Sequence, residues 1–168
     1  MRNKNVQDNR LPSRTAVNYL DNTKVMELNL GNPKNGWIPI TFKSTDFELE
    51  FIASNIPENP IDKLCESLIL LLNGIATEFC WNLEPEYYFF SLDPKEKRIN
   101  LIISKNSKTS KIPNPIFESI GDFKSIILPM YRSLKKFNTL EFNEKDWTKI
   151  DQKKLDKLTE LITQRKNG

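Results

Sequence analysis

Histidine is absent from all 168 residues. That removes the side chain most often used to move protons near neutral pH, and the commonest metal ligand, so Ser-His-Asp and Cys-His catalysis are excluded. Glycine is scarce, with five residues in the whole chain, and none falls in a GxGxxG or Walker-type pattern. A loop that cradles phosphates is therefore not expected, and neither is nucleotide chemistry. The only two cysteines, Cys65 and Cys80, stand in unlike contexts, the first in a helical pattern and the second in a strand pattern, with no CxxC pair. Buried free thiols are expected from them, not a disulfide or a metal site. Neither sign of charge dominates: 25 basic and 22 acidic residues leave a formal net charge of +3, which does not imply a nucleic-acid partner.

Long apolar runs are also missing. The longest, Leu68-Ile69-Leu70-Leu71-Leu72, is cut by Asn73-Gly74, whereas a membrane helix needs about 20 apolar residues. The opening stretch MRNKNVQDNRLPSRT has positive charge but no apolar segment or small-residue cleavage site. A secretory signal is not expected, and the cytoplasm is the expected location, with no membrane partner. What the sequence does contain is ordinary globular composition, 38% hydrophobic and 28% charged, in a length that suits one domain with a real core.

Residues 1 to 22, rich in Asn, Arg and Asp and without hydrophobic periodicity, are expected to form a mobile arm on which Val17, Tyr19 and Leu20 could dock. A single α+β domain is expected over residues 23 to 168. Val25 to Leu30 reads as a short strand, Asn32 to Gly36 as a turn, and Trp37 to Lys43 as the next strand. Asp46-Phe47-Glu48-Leu49-Glu50-Phe51 alternates with period two and places Phe47, Leu49 and Phe51 on one face. Asn59-Pro60 is helix-entry chemistry, followed by Ile61, Leu64, Leu68, Leu71 and Ile75 at spacings of three and four, with Asn73-Gly74 as the stop. Thr77 to Leu83, Tyr87 to Leu92 and Ile99 to Ser104 read as strands joined by short polar links, which favours antiparallel meanders. Ile116, Ile120, Phe123, Ile127, Met130, Leu134 and Phe137 step by three and four and predict a long helix, kinked near Pro129 or divided near Ser125. Gln152 to Arg165 predicts an amphipathic C-terminal helix. The expected order is β-β-β-α-β-β-β-α-α, an antiparallel sheet of five to six strands with helices on one face.

Among carboxylates, Glu84 and Glu86, with Asp46, Glu48 and Glu50, are the close acidic clusters that could serve as acid–base or metal groups. Glu48 and Glu50 occupy the alternate, solvent-facing positions of a half-buried strand, and Glu84-Pro85-Glu86 reads as a turn, so no catalytic residue, cofactor or metal site is assigned to them. If Phe79, Trp81 and Leu83 face the helices, then Glu78, Cys80, Asn82 and Glu84 face away. With Asp46, Glu48 and Glu50 they would make an acidic outer face suited to a basic protein partner. The lysines of the C-terminal segment read as the solvated side of a helix. Arg132, beside Tyr131 near the apolar ridge of its helix, is expected to form a structural ion pair with a sheet carboxylate. The parity of Tyr87, Tyr88, Phe89 and Phe90 is unreadable, because every position is apolar.

Ser54-Asn55-Ile56-Pro57-Glu58-Asn59-Pro60-Ile61-Asp62-Lys63-Leu64, Leu71-Leu72-Asn73-Gly74, Trp81-Asn82-Leu83-Glu84-Pro85-Glu86-Tyr87 and Tyr131-Arg132-Ser133-Leu134 resemble a loose group of small bacterial proteins of unknown function. The likeness covers roughly residues 37 to 147 and includes a late tryptophan, Trp147. It implies a strand–helix–strand core in which Trp81, Pro85 and Arg132 are structural. Some proteins of this kind resemble immunity proteins encoded beside secreted toxins, and the resemblance supplies no catalytic residue. The expectation is a non-catalytic binding protein that neutralises a toxin by stoichiometric occlusion. The competing readings are a histidine-free, carboxylate-dependent enzyme and a self-associating adaptor domain; the oligomeric state is not read from the sequence.

Overall fold

The computed structural model describes residues 26–107, 109 and 112–168 of the chain. The expected arm over residues 1 to 22, with Val17, Tyr19 and Leu20, lies outside the described residues, as does Val25. Seven antiparallel strands follow one another in the order of the sequence: β1 (Glu27–Leu30), β2 (Trp37–Ser44), β3 (Phe47–Ser54), β4 (Thr77–Asn82), β5 (Glu86–Lys95), β6 (Arg98–Ser107) and β7 (Asn114–Gly121). Helix α1 (Pro60–Leu72) connects β3 to β4, and α2 (Leu128–Phe137) and α3 (Gln152–Asn167) follow the last strand. The chain is therefore α+β as expected, with seven strands where five to six were counted.

The extra strand is the main correction. Residues 114–121, within which the expected long helix begins at Ile116, pair with β6 instead. Ile116 and Ile120 are four apart, and a separation of four satisfies both the helical repeat and the strand repeat of two. Pro115 and β-branched isoleucine, with Gly121 at the end, fit a strand edge better than a helix interior. The helical segment starts after Gly121, where a Cβ would come 2.5 Å from Ser125 Oγ and 2.8 Å from Ile126 Cδ1. A five-residue π-helical turn, Phe123–Ile127, opens it, and Asp122 caps that turn by accepting from Ser125 N–H at 2.9 Å. The turn runs directly into α2, and Pro129, the second residue of α2, stands at the junction where the wider π-helical turn gives way to the α-helix. From Ile127 onward the expected ridge is correct, since Ile127, Met130, Leu134 and Phe137 are all buried.

Helix α1 begins and ends where its sequence signals lie. Asn59 accepts from Ile61 N–H at 3.0 Å and Pro60 occupies the first turn. After Leu72, Asn73 closes the helix and Gly74 takes the left-handed conformation at φ 78°. Ile61, Leu64, Leu68 and Leu71 are buried, whereas Ile75, beyond the helix, is exposed. Along the strands Leu28, Ile38, Ile40, Phe42, Phe51, Phe79, Trp81, Tyr88, Phe90, Leu92, Leu101 and Ile103 belong to one buried cluster. The parity left open by the aromatic run is thereby resolved: Tyr88 and Phe90 face the core, and Tyr87 and Phe89 lie on the other face, half-buried. Helix α1 lies against β4, α2 against β1, and α3 against α1.

The sheet does not stay flat. Strands β2 and β7 stand five places apart in strand order, which is about 24 Å in a flat sheet. Yet the Phe42 ring of β2 lies 5.2 Å from the Phe117 ring of β7, and Phe47 of β3 stacks on Phe117 at 4.8 Å. The fold-over is located between β3 and β4, which share a single pair, Ser54 opposite Asn82. Two ladders, β1–β3 and β4–β7, therefore meet at one corner and close on an aromatic core.

Candidate partner-binding face

That corner is where the most distinctive sequence lies. The chain leaves β3 through Ile56-Pro57 and leaves β4 through Glu84-Pro85, and both X–Pro peptide bonds are cis. Side chains tie the two turns together. Ser54 Oγ donates to Glu84 Oε1 at 2.9 Å and accepts from Ile56 N–H at 3.1 Å. Asn82 Nδ2 donates to the Ile56 carbonyl, and Asn82 Oδ1 accepts from Glu84 N–H at 3.0 Å. Ser54 and Asn82 are buried, so these bonds satisfy groups that water does not reach. Glu84 is left-handed at φ 46°, a conformation that costs a non-glycine residue roughly 1–3 kcal/mol and persists where its surroundings fix it. Two hydrogen bonds to Glu84, one at its amide and one at its carboxylate, do so here.

The corner opens to the surface between the start of α1 and strands β4 and β5. Ile56 projects there with 63% of its surface exposed. A cavity of about 560 Å³ is bounded by Ile56, Asn82, Glu84, Pro85 and Tyr87. A second, of about 290 Å³, lies between Pro57, Glu58 and Lys63 on one side and Glu78, Cys80 and Phe89 on the other, and shares Asn82 with the first. Glu78 accepts from Ser91 Oγ, as Glu84 accepts from Ser54. Among the described residues no cation lies within ion-pair distance of either carboxylate, and each is held in place by a neutral hydroxyl. By contrast, Lys63 lies 3.8 Å from Glu58 and 3.2 Å from Glu66, and Lys105 lies 3.0 Å from Glu86.

Asp46, Glu48, Glu50, Glu78 and Glu84 are all exposed, but they are not one cluster. Glu50 and Glu78 are each four residues from the Ser54–Asn82 pair, in opposite directions because the strands are antiparallel. That separates them by about 26 Å along the strands. Asp46 lies in the β2–β3 turn, and Glu48 pairs with Lys43 across the hairpin at 2.9 Å. Only Glu78 and Glu84 belong to the corner. Among the described residues no three acidic or thiol side chains come close enough to hold a metal ion.

Trp81 is fully buried, with Phe79, Phe51 and Phe90 rings at 5.6, 5.8 and 6.0 Å. Pro85 is at the surface, in the wall of the larger cavity. Arg132 departs from expectation: it is exposed, and among the described residues it pairs with no carboxylate. The reason is angular. Met130, Ser133, Leu134 and Phe137 take the buried side of α2, which turns Arg132 outward. Both cysteines are free, Cys65 buried and Cys80 half-buried. Burial pushes the Cys65 thiol up to about 12, and burial followed by the Glu58 and Glu78 charges pushes Cys80 up to about 11. Sequence reasoning missed Ser54 and Ile56 and placed Asn82 only by parity. The signal for all three was present as two X-Pro turns next to strand ends, which demand side-chain partners for their free backbone groups.

Among the described residues no helix is long and apolar enough to cross a membrane. Compared with protein families, with curated proteins and with solved structures, the chain has no match.

Proposed function

We propose that this chain is a non-catalytic binding protein that grips a basic protein partner at the β3–β4 corner, in the manner of an immunity protein that covers a toxin's working surface. The observation that carries this reading is the pairing at the corner of exposed Ile56 and half-buried Tyr87 with two carboxylates, Glu78 and Glu84, fixed by serine hydroxyls and not neutralised by cations. Central apolar anchors with a polar, charged surround are the usual energetic plan of a protein interface. Carboxylates whose geometry is already set lose little freedom on meeting a lysine or arginine, and they speed encounter with a basic surface. The fold-over supports the same reading, since it holds the two turns in one rigid corner instead of on separate loops.

The test is affinity capture of the tagged full chain from lysate of its source organism at low and moderate salt, with Ile56→Asp and the double variant Glu78→Lys/Glu84→Lys alongside. One stoichiometric partner, encoded next to this chain, toxic when expressed alone and released by both variants, is the expected result. A partner retained by variants that melt like the parent, or no partner at either salt, overturns the reading.

A further inference from the structure

A groove that shares no lining residue with the corner cavities carries charge that no ion pair among the described residues uses. It lies between β1, the edge strand of the described sheet, and one face of the π-turn and α2, with a volume of about 510 Å³, within the range of small-molecule sites. Consecutive residues of β1, Met26 to Asn29, line it. Since neighbours on a strand point to opposite faces, the groove runs along the strand's edge and is not roofed by the sheet. Pro129, Arg132, Ser133 and Lys136 line the helix side, spaced as one helical face, and Lys124 projects from the preceding turn. Among the described residues Lys124, Arg132 and Lys136 have no carboxylate partner. Of the two acids present, Asp122 accepts from the Ser125 amide and hydroxyl, both at 2.9 Å, and Glu27 stands in register with Lys43, whose ammonium pairs with Glu48 at 2.9 Å, so the lining sets three cations against two carboxylates. Ser133 is 6% exposed, and its hydroxyl is buried without a hydrogen-bond partner.

We infer that this groove binds a small organic anion, a molecule with one carboxylate, sulfonate or phosphate group on an apolar body. Arg132 and Lys136, four residues apart on one helix face, repel each other unless an anion lies between them, and a guanidinium beside an ammonium suits an oxyanion that accepts from both. Met26, Leu28 and Pro129 supply apolar wall for the rest of the molecule. The Ser133 hydroxyl, one residue from Arg132, is buried beneath the same face without a hydrogen-bond partner. The inference is independent of the β3–β4 corner, with which it shares no residue, and would stand if that reading fell.

The probe is 8-anilinonaphthalene-1-sulfonate, with the uncharged N-phenyl-1-naphthylamine as the matched apolar control, titrated into the full chain by fluorescence and calorimetry. Saturable binding of one sulfonate per chain is expected, at least tenfold tighter than the neutral compound and weakened at least tenfold by Arg132→Ala/Lys136→Ala. Both side chains are exposed, so the double variant is expected to melt like the parent; Leu70→Asp, at an exposed apolar site elsewhere, leaves binding unchanged. Equal affinity for the two compounds, or sulfonate binding untouched by the double variant, overturns the inference.

Discussion

The two cysteines show how place decides chemistry. A thiol attacks as thiolate, and both thiols here are held protonated: Cys65 by burial, Cys80 by burial and by the carboxylates of Glu58 and Glu78. At pH 8 a thiol raised to about 11 carries about a hundredth or less of the thiolate of an unperturbed one. Iodoacetamide should therefore label Cys80 in the native chain about a hundredfold more slowly than a free thiol, and Cys65 more slowly still, with both reacting at once in denaturant. Mass spectrometry over a time course reads the two rates separately. Asn82 makes the complementary case. It is polar and buried, and it stays so because each end of its amide group has a partner on one of the two turns. A residue of that kind is hard to identify from sequence, where a strand-end asparagine looks the same whether it meets water or backbone.

At the scale of elements, the segment around residue 122 carries the sharpest prediction. The Asp122 carboxyl sits below the usual carboxylate range, first because the Ser125 amide donates to it and then because the Ser125 hydroxyl does. A depressed folded pKa contributes stability that is present above the unfolded value of about 3.9 and is lost as pH falls through the folded value. Asp122→Ala should cost about 1 kcal/mol at pH 7 in chemical denaturation. The gap between variant and parent should narrow as pH falls from the unfolded value of about 3.9 through the folded value, and Asp122→Asn, which keeps an accepting oxygen without the charge, should show the part of the gap that does not change with pH. The same stretch shows what sequence can and cannot disclose. Helix α1 was legible end to end because Asn59, Pro60, Asn73 and Gly74 are local signals whose chemistry does not depend on the rest of the fold. The β7 strand was not, because its isoleucines fit both repeats and the deciding fact, pairing with β6, is non-local. The carboxylates of the outer face could be read as exposed from period two alone. Their separation into two stations could not, because it depends on where β3 and β4 part.

At the scale of the whole molecule, Phe42 is the residue on which the two ladders close. Its ring is fully buried and meets Phe47, Phe90 and Phe117 at 6.1, 5.8 and 5.2 Å. Phe42→Ala should cost about 3–5 kcal/mol, measured by urea denaturation. The loss should lie at the upper end of that range, since the cavity would open between two ladders that share one backbone pair and otherwise meet through side chains. The Ser54–Asn82 pair gives the arrangement a mechanical meaning. Between β2 and β3 eight residue pairs run side by side, and between β3 and β4 there is one. A load applied across the strands is shared by many rungs everywhere except at this seam, where it falls on one rung and on the side chains of Ser54, Asn82 and Glu84 beside it. The seam is the weakest line in the backbone fabric of the sheet, and a partner that spans both turns would act there as a rivet.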